Sequence, residues 1–513
     1  MIKYDSPAQL SIEEFKTPFQ ATLLADNKWV KLSKVVPWDK FASAYISMMN
    51  IGFGRPGISP RIVLGALIIK HIEKLDDRGV IAAIQENIYM QYFIGLKEFN
   101  LYPVFDPSLF VDIRKRVGHE IFDSLNVELI KSVSGEKDNK HNQNNKDKNR
   151  DTPKNKGKMQ ADATVADQYI TYPTDNGILN QGRKYCEKLI DKLYEFNGKK
   201  GVKPRTYRRK TDKTYLSYSK KKRKSAATHR KMTRKLLECV NRDIKHINNL
   251  LDIFEKRRDK FPLKHFEQRM LWIICRVYAQ QKYMHDNKTH SCPDRIVSIY
   301  QPHVRPIPRG KTKAQVEFGS KLGVSLDEGF ARINTLSWDA YNEGGYLIKQ
   351  VEAYRNLHGY FPELVQVDKI YATRANRRWL KEKGIRITAT PLGRKKEKQQ
   401  ESYYQKRKHR KEAAERNHIE GKFGQGKNGY NLNKVRARLK DTPESWIACI
   451  FFIMNLLNYE KGSIFGSFIK IFNTIKVIIT MFTQRLKVIF EQQKIFEEKR
   501  IYRLLPDVKI FAC

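Results

Sequence analysis

Residues 131–158 (KSVSGEKDNKHNQNNKDKNRDTPKNKGK) hold one apolar residue, Val133, among Lys, Asn, Asp and Gly. Such a stretch cannot bury enough surface to offset the entropy lost on ordering, so no core can run through it. The chain is therefore expected to divide there, into a unit over 1–130, a flexible polar linker over 131–158 and a larger unit beyond. With 513 residues it has length for about two to four ordinary domains.

The charge divides at the same place. The chain carries 98 Lys and Arg against 55 Asp and Glu, a net +43. Residues 1–130 hold 15 of each sign, so the whole excess falls on 131–513. Three runs concentrate it: 131–158 with nine basic and four acidic residues, 199–235 with 17 basic residues and one acid, Asp212, and 394–411 with nine and two. One such run is also what a solvated surface or loop looks like. Three on one side of a boundary favour a unit that faces a polyanion, whether DNA, RNA or an anionic membrane. An acidic solvating protein is excluded, and a small-metabolite enzyme needs no such charge. Tyr207, Tyr215 and Tyr218, interleaved in the strongest run, are compatible with stacking on bases or sugars. With 40% hydrophobic and 11% aromatic residues the chain can still bury cores. Its six cysteines form no CxxC pair and have no His at zinc-finger spacing, so neither a disulfide framework nor a structural zinc is expected. The opening MIKYDSPAQL lacks the apolar stretch of a signal peptide, and a cytoplasmic location is the expectation.

Residues 1–130 read as helical. In SPRIVLGALIIKHIEKL (59–75), Pro60 takes a first-turn position and Ile62, Val63, Leu67, Ile68 and Ile72 recur at helical spacing. Further helices are expected over 78–91 and 107–117. Three short helices with Arg114, Lys115 and Arg116 on the third fit a helix-turn-helix-like bundle that binds DNA. The same pattern fits a helical packing domain with an exposed basic cluster.

Beyond the linker a short strand is expected over 161–165. From 183 to 285 the pattern is helical, with Leu237, Val240, Ile244, Ile247, Leu251 and Phe254 forming a coiled-coil-like seam. Residues 177–290 are thus read as a helical insertion carrying 199–235 as a basic loop. Strand-like runs follow at 295–300 (RIVSIY), 316–326 and 329–338. Then come a helix (342–357), a strand (363–368), a helix (374–383), a strand (385–390), a basic loop, and a helix from about residue 411. Several strands followed by strand–helix alternation indicate an α/β or α+β core. Residues 446–457 are too short for a membrane span, and Lys470, Asn473 and Lys476 interrupt 464–482, so packed or self-associating helices are expected there.

Three acids stand out by context. Asp162 lies in ADATVAD, Asp368 ends the apolar run LVQVD, and Glu420 lies in RKEAAERNHIEGKFGQGKNGY. Acids at strand ends present hard oxygens where a hydrated Mg²⁺ can be held, and two such ions can act on both oxygens of a phosphodiester exchange. Each acid alone is equally a surface or capping residue. Arg416, Glu420 and Lys427 stand at i, i+4 and i+11, within about 40° of one another on an α-helix. That face would show a guanidinium, a carboxylate and an ammonium in a row, or only an ordinary surface ion pair. Gly421, Gly424 and Gly426 argue against a plain stable helix.

The sequence resembles a DDE transposase of a bacterial insertion sequence, in the insertion-sequence-five group of the insertion-sequence-four-like superfamily. The stretches that carry the resemblance span most of 55–460. They include RPGISPRIVLGALIIKHIEKLDDRGVIAAIQENIYMQYFIGL (55–96), DATVADQYITYPTDNGILN (162–180), HVRPIPRGKTKAQVEFGSKLGVSL (303–326), LSWDAYNEG (336–344), VDKIYATRANRRWLKEKGIRI (367–387), PLGR (391–394) and RNHIEGKFGQGKNGYNLNKVRARL (416–439).

The resemblance implies a ribonuclease-H-like α/β catalytic core over 159–460 with a helical insertion. An all-α N-terminal domain recognising element ends would precede it, and a C-terminal helical segment over 461–513 would follow. It implies Asp162, Asp368 and Glu420 as the catalytic acids and holders of two Mg²⁺ ions, with Mn²⁺ able to substitute. The superfamily's Tyr-x2-Arg-x3-Glu-x6-Lys signature falls on Arg416, Glu420 and Lys427, with Ala413 at the tyrosine position. Expected DNA contacts are Arg416, Lys427, Arg377, Arg114, Lys115 and Arg116, and His303, Arg305, Arg309 and Lys311 are backbone-contact candidates or simply a basic loop. Asp167, Asp175 and Asp339 read as structural acids. Trp338 reads as a core residue or a platform for a displaced base. The partner would be double-stranded DNA, both terminal inverted repeats and target, gripped by a homodimer in a synaptic complex and without a membrane. The location would be the bacterial cytoplasm, on the nucleoid when bound. The alternative is a catalytically inactive or co-opted DNA-binding protein derived from a transposase.

Overall fold

The computed structural model describes residues 15–17, 22–47, 57–141, 155–257, 260–308, 316–389 and 402–460. The chain divides into two compact units, Met1–Asn455 and Leu456–Cys513. The expectation for 464–482 lies outside the described residues.

The chain opens with α1 (Lys28–Val35), α2 (Trp38–Ile46), α3 (Pro60–Ile72), α4 (Asp77–Glu86), α5 (Ile88–Phe93), α6 (Leu109–Arg116) and α7 (His119–His141). Local chemistry sets their ends. Pro60 starts α3, Asp76 accepts the Gly79 N–H at the head of α4, and Asn87 caps α5 through Tyr89 and Met90. Helix α7 continues to His141, well into the stretch expected as linker. Its first turns are anchored by buried Ile121, Phe122, Leu125 and Leu129, and once a helix is nucleated each added residue costs little.

The described strands form one six-stranded sheet in the order β2-β3-β1-β5-β6, with β4 also paired to β3. Here β1 is Lys158–Asp167, β2 Arg305–Pro308, β3 Val316–Asp327, β4 Phe330–Ser337, β5 Leu364–Val367 and β6 Arg386–Ile387. β1 is antiparallel to β3, with Asp167 opposite Gly319, and parallel to β5, with Ala161 opposite Val367. A Cβ at Gly319 would stand 1.9 Å from the Ala166 carbonyl oxygen, so only glycine allows these strands to close. β5 is buried at all four positions, as a central parallel strand requires.

Helices α12 (Leu347–His358) and α13 (Arg374–Glu382) cover one face through Val351 and Leu380 against Val365 and Val367. The other core packs Leu322 and Val324 of β3 against Ile419 and Phe423 of α14 (Tyr403–Gly424). Trp446 and Phe451 of a further helix, α15, which starts at 442, complete it. Helix α15 also meets the N-terminal helices, with Phe452 packed on Phe41 and Phe122.

Between β1 and β2 stand α8 (Asp175–Phe196), α9 (Arg208–Lys220), α10 (Ala226–Lys256) and α11 (His265–Asp286). They share a core of their own built on Ile190, Leu236, Val240 and Ile247. The basic stretch 199–235, expected as a loop, is largely helical, because α9 and the first turns of α10 run through it. Lys and Arg are good helix formers, and Arg208 forks Asp191 at 2.7 and 2.9 Å to fix the start of α9. For the same reason α14 begins at Tyr403, ahead of the expected residue 411. RIVSIY (295–300) is not a strand. Ile296 and Ile299 are buried against Met270 and Ile273 of α11, and Gln280 accepts the Ile296 N–H in place of a sheet neighbour. Strand β6 covers two residues of the six expected.

Candidate active site

Because Ala161 pairs with Val367 on parallel strands, the next residue on each chain, Asp162 and Asp368, emerges beside the other. Two positions back, on the same face, Gln160 and Gln366 are also in register. The Gln160 amide donates to Gln366 Oε1 at 3.0 Å and to the Glu415 carbonyl at 2.7 Å, and the Gln366 amide donates to the Glu412 carbonyl at 2.9 Å. These two buried amides fix α14 across the strand pair, one turn before Glu420.

The Arg416 guanidinium gathers the acids. Its Nη1 lies 4.0 Å from Asp162 Oδ2 and 3.8 Å from Asp368 Oδ1, and its Nη2 lies 3.4 Å from Glu420 Oε1. Asp162 is the recessed member, 17% exposed against 60% for Asp368 and 58% for Glu420, so the cluster opens to solvent on one side. The Ala163 N–H donates to Asp162 Oδ1 at 2.8 Å. Burial first, with the charges of Glu343 and Asp368 and against the Ala163 N–H and Arg416, pushes the Asp162 carboxyl up to about 6.

Glu343 is a fourth acid that the sequence reading passed over. It heads the 3₁₀ turn Glu343–Tyr346, pairs with Lys321 at 2.8 Å, and hydrogen-bonds the buried Tyr371 hydroxyl. Burial first, and then the Glu343 and Asp162 charges, hold that hydroxyl firmly protonated. The Asn376 amide donates to the carbonyls of Gly344 and Tyr371 at 2.7 and 2.8 Å, tying the Glu343 turn to the loop that carries Asp368. A Cβ at Gly344 would stand 2.8 Å from the Ile370 carbonyl oxygen. The available signal was the segment LSWDAYNEG itself, where an acid sits beside glycines.

Three carboxylates supply the hard oxygens that a divalent ion such as Mg²⁺ prefers, and two of them stand on neighbouring strands. The chemistry of the donor set fits such an ion. Among the described residues no three His, Cys, Asp or Glu close on one point, since the acids are spaced around the Arg416 guanidinium.

Several expected DNA contacts are occupied elsewhere. Arg114 is 5% exposed and forks Asp77 of α4 at 2.9 and 2.7 Å, so it is a packing residue rather than a phosphate contact. Its neighbours Lys115 and Arg116 are exposed. Lys427 leaves the row expected with Arg416 and Glu420, because it falls in the π-helical turn Gln425–Gly429, which is wider than an α-turn. Its ammonium lies 3.4 Å from Glu317 and 3.8 Å from Asp167, toward the far end of β1. Arg377 donates to the carbonyls of Ala372 and Ala389, and Arg305 to those of Pro302 and Val304. His303 is a neutral ring, pushed down to about 4 by burial and then by the Arg305 charge. Trp338 is half-buried, edge-on to His303, with its indole N–H on Glu444 at 3.1 Å. Arg309 and Lys311 lie outside the described residues.

The acid cluster thus opens to solvent where the parallel pairing of β1 and β5 ends, on a chain with a net charge of +43. A family model described as a transposase DDE domain matches residues 365–457, and one described as a transposase domain (DUF772) matches 18–116. The two matches, over separate parts of the chain, indicate a DDE-type insertion-sequence transposase. An uncharacterized protein of Rhizobium meliloti, ORF8 in the nfe locus, is 26% identical over 165 residues, 32% of this chain and 72% of that protein. No solved structure matches. Among the described residues no helix is long and apolar enough to cross a membrane.

Proposed function

We propose that the chain cuts DNA at the terminal inverted repeats of its own insertion sequence and joins the freed ends to a target. The observation that carries this reading is the meeting of Asp162, Asp368 and Glu420 on one guanidinium, from two neighbouring strands and the helix that crosses them. The sheet order β4-β3-β1-β5-β6, antiparallel up to β1 and parallel beyond it, supports a ribonuclease-H-like core with α8–α11 as its insertion. The quoted segments support the insertion-sequence-five group.

Asp162, Asp368 and Glu420 would hold two Mg²⁺ ions, for which Mn²⁺ can substitute, and these supply charge stabilisation to the attacking and leaving oxygens. The protein's own groups do the rest. The Ala163 N–H and the amide pair Gln160–Gln366 fix the donors before substrate arrives. Arg416, which lies among the three acids, would be the cation beside the scissile phosphate. Lys115 and Arg116 on α6, and exposed Arg209, Lys210 and Lys213 on α9, hold the duplex backbone by charge alone. Two copies hold the two ends.

The test is strand cleavage of duplex DNA carrying the element's own ends, in Mg²⁺ or Mn²⁺. Asp162→Asn, Asp368→Asn and Glu420→Gln are each expected to abolish cleavage while DNA binding persists. Cleavage by all three variants would refute the acid assignment. Tight, specific binding with no cleavage by the unaltered protein would instead establish the co-opted DNA-binding protein.

A further inference from the structure

We propose that a cavity beyond the end of β1, between that strand's continuation and the helical insertion, is a stacking site for an unpaired DNA base. The proposal rests on the reading of the chain as a DNA-acting protein and names a second, separate binding site on it.

The cavity has a volume of about 590 Å³, within the range of small-molecule sites. Tyr169, Tyr172, Tyr215 and Tyr300 form its walls, and Gln301 and Arg438 its polar lining. Three of these rings reach solvent, Tyr172 75% exposed, Tyr300 57% and Tyr169 50%. Two of them, Tyr172 and Tyr169, are also held in place. Tyr172 stands edge-on to Phe318 at 5.6 Å, and the Lys434 ammonium lies over the Tyr169 ring at 5.0 Å. Rigid, solvent-facing rings are what a base needs for stacking.

A polar handle lies among them. Gln301 is 3% exposed, and its amide nitrogen donates to the Tyr169 carbonyl at 3.3 Å. That bond fixes which way the amide points. Its Oε1 is buried and has no hydrogen-bond partner among the described residues. A buried acceptor left without a donor is costly, and each nucleobase presents an N–H that can satisfy it. Beside the cavity, Lys434, Arg436 and Arg438 alternate with buried Val435 and Ala437, so three cations line one side of an extended strip. Aromatic walls next to such a strip suit a nucleotide whose phosphate lies outside and whose base lies within.

A paired base has both faces covered, so only a displaced or single-stranded nucleotide can enter. The site is not the acid cluster. Tyr169 follows Asp162 by seven residues of extended chain, about 23 Å at the rise of a strand. A base held there would lie several nucleotides along the strand from the acids.

The experiment uses the full chain and a fluorescent oligothymidylate in an anisotropy titration, beside a paired duplex of equal length. Tyr172→Ala and Tyr300→Ala are each expected to weaken single-strand binding about 5- to 100-fold, and to leave duplex binding unchanged. Tyr172→Phe is expected to keep wild-type affinity, because it keeps the ring. Unchanged single-strand affinity in both alanine variants would overturn the proposal, as would equal losses for strand and duplex. Tyrosine-dependent binding of the single strand by a protein that does not cleave would uphold this site while the proposed activity failed.

Discussion

Asp77→Asn would leave two buried cations without their common counter-ion. Lys70 Nζ lies 3.0 Å from one oxygen of Asp77 and Arg114 forks both, with the Lys70 and Arg114 side chains only 1% and 6% exposed. The Trp446 ring lies against the ammonium, 3.4 Å from Nζ to its centroid. Removing one partner of such a group costs about 3–5 kcal/mol. The lower end is expected, because Lys70 can escape. Burial, against the pull of Asp77, already holds it down to about 8, so without Asp77 it sheds its proton near neutral pH, whereas Arg114 cannot.

The assay is urea unfolding, with a lower midpoint at unchanged slope. Lys70→Met, which removes the surplus cation, is expected to be neutral or stabilising at pH 7. Lys70 titrates lower folded than unfolded, so the folded chain holds fewer protons between about pH 8 and the unfolded value of 10.5. This group's contribution therefore rises with pH across that window, by up to roughly 3 kcal/mol, and Lys70→Met should lack the rise. A loss below about 1 kcal/mol for Asp77→Asn, well short of the cost of breaking a buried pair, would refute the reasoning. So would Arg114→Ala weakening DNA binding at wild-type stability while Lys115→Ala and Arg116→Ala do nothing.

Asn455→Ala should cost about 2–4 kcal/mol in the same unfolding assay, because it orphans the N–H and carbonyl of Ala331 and the amide of Asn126. Gly319→Ala should yield little soluble folded protein, since its Cβ meets the Ala166 carbonyl, and wild-type yield would contradict the strand register. Asn376→Ala should lower cleavage more than DNA affinity by loosening the Asp368 loop against the Glu343 turn, and parallel loss of both would show simple unfolding. Wild-type DNA affinity should fall linearly on a log–log plot against salt, and a flat profile would remove the charge argument.

The elements that carry the three acids were legible because apolar runs and a charged helical stretch mark them: Asp162 lies within β1, Asp368 directly after β5 and Glu420 in α14. Strands β3, β4 and β5 were legible for the same reason. What failed to show was long-range pairing. Arg114 has the same local context as Lys115 and Arg116, and only the approach of Asp77, 37 residues earlier, makes it a core residue. RIVSIY has strand composition, but its neighbours are the side chains of α11, not a free sheet edge. Lys427 lost its place in the row because a π-turn widens the helix, and three nearby glycines warned only that the helix was weak. Glu343 went unseen because its importance comes from Tyr371 and Lys321, neither of them close in sequence.

Helix α15 supplies Trp446 to the Lys70 and Arg114 cations near its start and Asn455 to α7 and β4 further along, where the Asn126 partner lies 329 residues earlier in the chain. During translation the first helices leave the ribosome long before either residue is made. Until then Lys70 and Arg114 lack their aromatic cover, and the two aspartates lack the glutamate that arrives with α14. A nascent chain that ends before α14 has neither a closed N-terminal core nor the glutamate of the acid cluster.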